Sequence, residues 1–291
     1  MAKPRLPYLI VTAVAALLTL GFMYAFTLSY HKEINLSNER ELKANLEVGF
    51  AKLSIAHGKS AVLFRSEIST EGKEDLAKCI DYAIRDGVGY LNVNSSEERH
   101  NKKKSLHISG FDSGTWETYF TDEIPISFDV ELGLGKGDFD FTGLSVKDLN
   151  LSAGASSVTL RFDTPNKSEI EELTIEAGLS KFEGKNLCNA NFRHMKFEGG
   201  VGSYRLDFGG SIEKEMDADI EVGLGSITVL IPQNIGARII YEKNIISHFD
   251  IDSEFSEQSE DNYISSNYYS SSSKINLHID AGLGTVKIRR N

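Results

Sequence analysis

Over much of this chain apolar and polar residues alternate one by one, and the alternation breaks repeatedly at a glycine. Val130 and Leu132 lead into Gly133-Leu134-Gly135, and Phe139 and Phe141 follow after a slightly longer bend. Leu149 and Leu151 lead into Gly154-Ala155-Ser156, then Val158 and Leu160. The same frame surrounds Gly178, Gly200, Gly223 and Gly282, and earlier Gly49 and Gly87. A period of two puts successive side chains on opposite faces, which predicts β-strands. Each copy therefore reads as a strand, a Gly-x-small bend and a second strand.

From Gly133 the glycine recurs at 154, 178, 200 and 223, in steps of 21, 24, 22 and 23 residues. A period of this size marks a stacked array, because one such unit cannot bury its apolar face alone. The fold class expected is all-β: a parallel β-helix-like solenoid with repeats of about 22 residues, preceded by one transmembrane helix. The eight glycines are expected at structural bends that a side chain would obstruct. A phosphate-binding loop, which occurs once between a strand and a helix, does not fit the repetition.

Before position 126 the pattern is less regular, so the chain divides into an irregular part over 42–125 and a regular solenoid over 126–291. The stretch 95–105 is a charged excursion expected as a solvated loop. Alternation across 112–125 predicts a strand that places Trp116 in the core or a cap. In 73–84 the frame of Tyr82 and Ile84 favours a strand over a helix. From Gly223 to Gly282 the step is 59 residues, and it holds the acidic, serine-rich stretch 252–274. That stretch reads as a long loop or mobile flap. Its Tyr263, Tyr268 and Tyr269 are either a candidate partner-binding surface or aromatics packed over the last coils. Lys287, Arg289 and Arg290 are expected to blunt an exposed terminal strand edge by charge.

The N-terminus changes the picture most. Residues 6–30 carry no charge, and about 20 apolar residues span a bilayer. Lys3 and Arg5 precede the stretch, which favours a cytoplasmic tail over 1–5. Residues 6–30 are expected to be an uncleaved signal anchor, the contact with the lipid bilayer, and 31–41 a linker. The remainder would be an extracytoplasmic domain of a single-pass protein of the cytoplasmic membrane. The net charge of −11 argues against binding nucleic acid or anionic head groups. Cys79 and Cys188 lie 109 positions apart in different parts of the array, an arrangement unsuited to a disulfide or a zinc site.

Candidate chemistry is sparse. The outward positions before the glycines read Glu47, Ala83, Glu131, Asn150, Thr174, Lys196, Glu221 and His278. They look like a solvated sheet face of mixed charge, with Glu221 expected to stack beside Lys196. The seven histidines are scattered and no nucleophile elbow is present. No catalytic, cofactor or metal residues are assigned. Two readings remain: a non-catalytic scaffold or regulator, with surface adhesion as a variant, and a carbohydrate-active β-helix enzyme. Adjacent outward carboxylates in a groove would favour the enzyme.

Several stretches carry a family resemblance: "DEIPISFDVELGLGKGDFDFTGLSVKDLNLSAGASSVTLRF", "NANFRHMKFEGGVGSYRLDFGG", "IEVGLGSITVLIPQNIGAR" and "KINLHIDAGLGTVKI". In this order they resemble the toast-rack family of bacterial envelope proteins, related to the LiaF-type cell-wall stress-response proteins. The resemblance implies a C-terminal β-solenoid and membrane-anchored regulation of a partner such as an envelope-sensing kinase. It implies no catalytic residues. The topology is checked by alkaline phosphatase fused after Asn291 in a bacterial host: activity is expected, and an inactive fusion alongside an active cytoplasmic reporter would overturn it.

Overall fold

The computed structural model describes residues 28–70, 76–95, 114–211, 213–242 and 246–291. Seven long strands form its body: β2 (Glu41–His57), β7 (Ile126–Asp140), β8 (Val146–Arg161), β9 (Ile170–Lys185), β10 (Phe192–Asp207), β11 (Glu215–Ile231) and β16 (Lys274–Arg290). They lie side by side in that order, every neighbouring pair parallel. The chain is all-β, and its strands make one long sheet.

Parallel strands usually need a crossover of a dozen residues or more. Here 141–145 suffice between β7 and β8, and 186–191 between β9 and β10. A straight 15-residue strand such as β7 would separate its ends by roughly 50 Å. Five residues reach at most about 18 Å. Each long strand must therefore fold back at its middle, and the glycines mark the place. Seven of the expected bend residues stack in register: Gly49, Gly133, Gly154, Gly178, Gly200, Gly223 and Gly282.

Close approach explains that column. A Cβ added at Gly154 would sit 2.4 Å from the Gly133 carbonyl oxygen, and one at Gly282 2.5 Å from that of Gly223. A second column two residues on is tighter still: at Gly284, φ is +146° and a Cβ would lie 1.7 Å from the Gly225 oxygen. Gly87 is different. It follows Asp86 in the turn of the antiparallel hairpin of β4 (Ile80–Arg85) and β5 (Val88–Asn94), and both residues have positive φ. The expectation of a solenoid bend there is corrected: two consecutive positive-φ residues make a tight hairpin turn.

Inward residues pile into columns, as in Val130, Leu151, Ile175, Phe197, Ile220 and Ile279. Phe64, Phe120, Phe128, Phe141 and Phe162 continue one another with ring centroids 4.9–5.5 Å apart. The connectors bury backbone polar groups, which need partners. Buried asparagines supply them. Asn166 accepts from the Val146 N–H (2.8 Å) and donates to the carbonyls of Val146 and Ala190, while Asn189 donates to that of Phe162. Cys79 and Cys188 are both buried free thiols.

Each end of the stack is closed by a broken coil. Beside β2, one arm pairs with β5 and the other with β6 (Gly114–Phe120). β3 (Val62–Thr70) then pairs antiparallel with β6, and β1 (Leu28–Asn35) with β3. Beside β16, one arm pairs with β12 (Gly236–Glu242) and the other with β13 (Ser247–Ile251). The antiparallel hairpin of β14 (Phe255–Ser259) and β15 (Asn262–Ser265) joins β12.

These caps correct several expectations. The alternating "LSYHKEIN" forms β1, so 28–35 is a strand where the end of the span and a linker were expected. Residues 6–27 of the expected anchor lie outside the described residues, and among the described ones no helix is long and apolar enough to cross a membrane. Most of the charged excursion, 96–105, is likewise outside them. Trp116 is buried in β6, as its alternation implied. The stretch 252–274 is a cap hairpin and turns, because Phe255 and Ile264 have a coil end to cover. The last coil is no bare edge. Arg290 donates to the Gln233 and Ile235 carbonyls at 2.9 Å, and Arg289 binds Asp250.

Gly284→Ala is expected to destabilise the protein by about 2–4 kcal/mol, since backbone must move. Gly49→Ala, with nothing within 4 Å of its added Cβ, should change stability by less than about 1 kcal/mol. Urea unfolding of the two variants checks the contrast.

Candidate interaction surface

The bend exposes two consecutive outward positions. Each long strand alternates over the five residues before the glycine, slips at the bend, and resumes with the opposite parity. In β9 the inward residues are Leu173, Ile175 and Ala177 before the bend, then Ser180 and Phe182 after it. Gly178 and Leu179 both face out. The residue after the glycine therefore stands on the corner, and it is apolar in every coil: Phe50, Leu134, Ala155, Leu179, Val201, Leu224 and Leu283. Stacking turns these residues into a ridge. Leu134 is 39% exposed, Leu179 64%, Val201 44%, and Leu224 and Leu283 46% each.

Two residues before the glycine lies a ladder of one sign. Glu47 pairs with Glu131, Glu131 with Ser152, Ser152 with Glu176, Glu176 with Glu198, Glu198 with Glu221, and Glu221 with Asp280. Asp280 continues to Glu242 in the cap. Rungs lie about 4.8 Å apart, and like charges directly opposite one another are destabilising. Glu131, Glu176 and Glu198 line a shallow groove of about 390 Å³ with Gly133, Gly154, Gly178 and Gly200. Bare glycine thus separates the acidic wall from the apolar ridge.

The expected stacking of Glu221 beside Lys196 is corrected: Lys196 pairs with Asp219, and Glu221 with Glu198. The row containing Asn150, Thr174, Lys196 and His278 lies two residues further from the bend than the ladder. It is the row of mixed charge, and its cations reach acids of the ladder as well as its own Asp219. Lys196 bonds Glu198, whose hydrogen bond and charge hold the ammonium above its ordinary range. His278 lies 2.9 Å from Glu242 and 3.6 Å from Asp219. By contrast, Glu131 and Asp280 have no ion-pair partner within 4 Å among the described residues. The signal for the ladder was in the sequence, as an acidic residue two before most bend glycines. It was masked where the inward residue beside the bend is small, as at Ala153, Ala177, Gly199 and Ala281. There the nearest large inward residue stands two positions further from the bend, at Leu151, Ile175, Phe197 and Ile279.

The three tyrosines do not share a surface. Tyr268 is buried, with Arg238 4.6 Å over its ring and its hydroxyl donating to Asn276 at 2.8 Å. Its burial holds the phenol above its ordinary range. Tyr263 is half-buried against Phe249. Tyr269 alone projects, 74% exposed, edge-on to Tyr268. Among the described residues no group of three or more His, Cys, Asp or Glu is arranged to hold a metal ion.

The family model for the N-terminal domain of toast_rack, DUF2154, matches residues 25–183. No curated protein matches the chain. Among solved structures, a provisionally described cell adhesion protein from Clostridium sporogenes is similar at 21% identity, over 91% of this chain and 100% of that one, with a TM-score of 0.46. A provisionally described adhesin from Bacteroides fragilis is 13% identical over 90% and 97% of the two chains, TM-score 0.33. A provisionally described lipid-binding protein from Parabacteroides distasonis is 11% identical over 90% and 96%, TM-score 0.25.

Glu221 has a carboxylate on each side, Glu198 and Asp280. Glu221→Gln is expected to raise stability by roughly 0.5 kcal/mol at low salt. The gain should shrink as salt screens the ladder. Thermal melting at two ionic strengths checks both parts.

Proposed function

The chain belongs to the toast-rack family, and on that premise we propose that it is a non-catalytic binding scaffold of the cell envelope. In this reading the uncharged stretch before β1, residues 6–27, holds it in the cytoplasmic membrane, and the solenoid stands outside as a docking surface for a regulatory partner such as a sensor kinase. One observation carries the reading: an apolar ridge and an acidic ladder run together along the stack, and the fold needs neither. Apolar side chains at the corner stand outside the core, and the ladder opposes folding by self-repulsion.

The carbohydrate-active reading is favoured by one feature, adjacent outward carboxylates beside a groove. Glycoside hydrolysis needs two carboxyl groups in contrasting environments, one protonated and one ionised. Glu131, Glu176 and Glu221 instead repeat one exposed environment in alternate coils, with Glu198 between the last two bonded to Lys196. That repetition suits recognition of an extended partner.

A photo-crosslinking residue is introduced at position 179 on the ridge, or at Thr159 on the solvent face of the second arm, in native membranes. Protein adducts are expected from 179 and not from 159. The absence of adducts at 179, together with sugar release lost in Glu198→Gln, would replace the scaffold by the enzyme.

A further inference from the structure

Resting on the scaffold reading, we propose that ridge and ladder together dock an α-helix of a partner protein, laid along the axis of the stack. That helix carries one apolar stripe and, beside it, a row of Lys or Arg. Three features select this occupant.

The first is spacing. Coils repeat about every 4.8 Å along the stack, and an α-helix advances 5.4 Å per turn. One turn therefore meets one coil. Across five coils the helix slips by about 2.4 Å in total. An extended segment laid the same way presents same-face residues about 6.8 Å apart and slips by about 8 Å. Side chains on two or three successive turns stay in step with the coils only for the helix.

Shape is the second. Leu134, Leu179, Val201, Leu224 and Leu283 offer one apolar contact per coil. Between them and the carboxylates lies the glycine floor of the groove. Without Cβ atoms at Gly133, Gly154, Gly178 and Gly200, a helix can approach the bend closely enough to touch both columns. An apolar stripe at i, i+3, i+4 and i+7 matches one contact per turn.

Charge is the third. Glu131, Glu176, Glu198, Glu221 and Asp280 share one row, interrupted at Ser152, and among the described residues Lys196 is the one cation bonded to them. A cationic row offsets the repulsion that the empty ladder carries, whereas anionic lipid head groups would add to it. The occupant is thus a basic amphipathic protein segment.

The test uses the full chain in nanodiscs of zwitterionic lipid, with empty nanodiscs as background. The probe is an 18-residue designed helix with a leucine stripe flanked by lysines, read by fluorescence anisotropy. Saturable binding is expected, weakened by salt. Replacing Glu176, Glu198 and Glu221 together by Gln should weaken it about ten-fold, the sum of three exposed pairs. Asp129→Asn, Asp148→Asn and Glu172→Gln combined remove as much charge elsewhere and should change it less than two-fold. Leu179→Ser with Leu224→Ser, in a chain that still melts cooperatively, should weaken it at least ten-fold. A probe of the same composition with two central prolines should not bind. Equal binding of the proline probe, or equal loss from the two charge-neutralised variants, overturns the proposal. If the helix fails to bind while position 179 still captures a protein in membranes, the helical chemistry is wrong and the scaffold reading stands. Failure of both removes the scaffold reading as well.

Discussion

Every coil passes its neighbour at the bend with backbone almost in contact with backbone. The carbonyl oxygen of one glycine points at the α-carbon of the next, so closely that a Cβ at Gly133, Gly154 or Gly282 would fall within 2.5 Å of it. That approach lets a strand of 15 to 17 residues fold back sharply. The fold-back brings its ends within reach of a short connector. Short connectors keep β7 to β11 parallel and in step. The columns of core residues, the asparagine-laced connectors and the outward ladders all follow from this register.

Register converts a local sequence habit into a global property. A residue repeated at one offset from the bend becomes a column, and its chemistry is multiplied by stacking. For apolar inward residues the result is a continuous core, in which Phe128, Phe141 and Phe162 touch in series. For asparagine in the connectors it is a set of satisfied backbone groups that would otherwise be buried unpaired. For glutamate two residues before the bend it is a row of like charges whose mutual repulsion opposes folding. A surface that lowers stability and is regular along its length is what a binding scaffold requires and a folding unit does not.

A stack of parallel coils has two open ends, each a template for pairing with another chain. Both ends are closed in the same way: a coil is split into two separate strands, and antiparallel strands cover what remains. At the C-terminal end the closure is also held by charge. Arg290, nearly inaccessible, donates to the Gln233 and Ile235 carbonyls, and Arg289 bonds Asp250 in β13. The serine-rich stretch belongs to this closure, which is why Tyr268 is buried while Tyr269 projects.

The sequence by itself determined the long strands and the bend at the middle of each, because period-two alternation and recurrent glycine are local signals. It also determined the burial of Trp116. The fate of Gly87 was not local. Its flanking alternation matches the other copies, but Asp86 takes a positive φ beside it and the strands turn back antiparallel. The caps could not be read either, since β12 and β13 are ordinary strands whose partner, β16, lies more than 20 residues later. The candidate site was half legible. Each glutamate and each corner leucine stood in plain view, but small residues at Ala153, Ala177, Gly199 and Ala281 hid the parity that joins Glu176, Glu198 and Asp280 into one row. Only tertiary structure decided that row, because a column is a property of neighbouring coils: a strand's own residues set which face a side chain takes, and the register with the next strand sets what it faces.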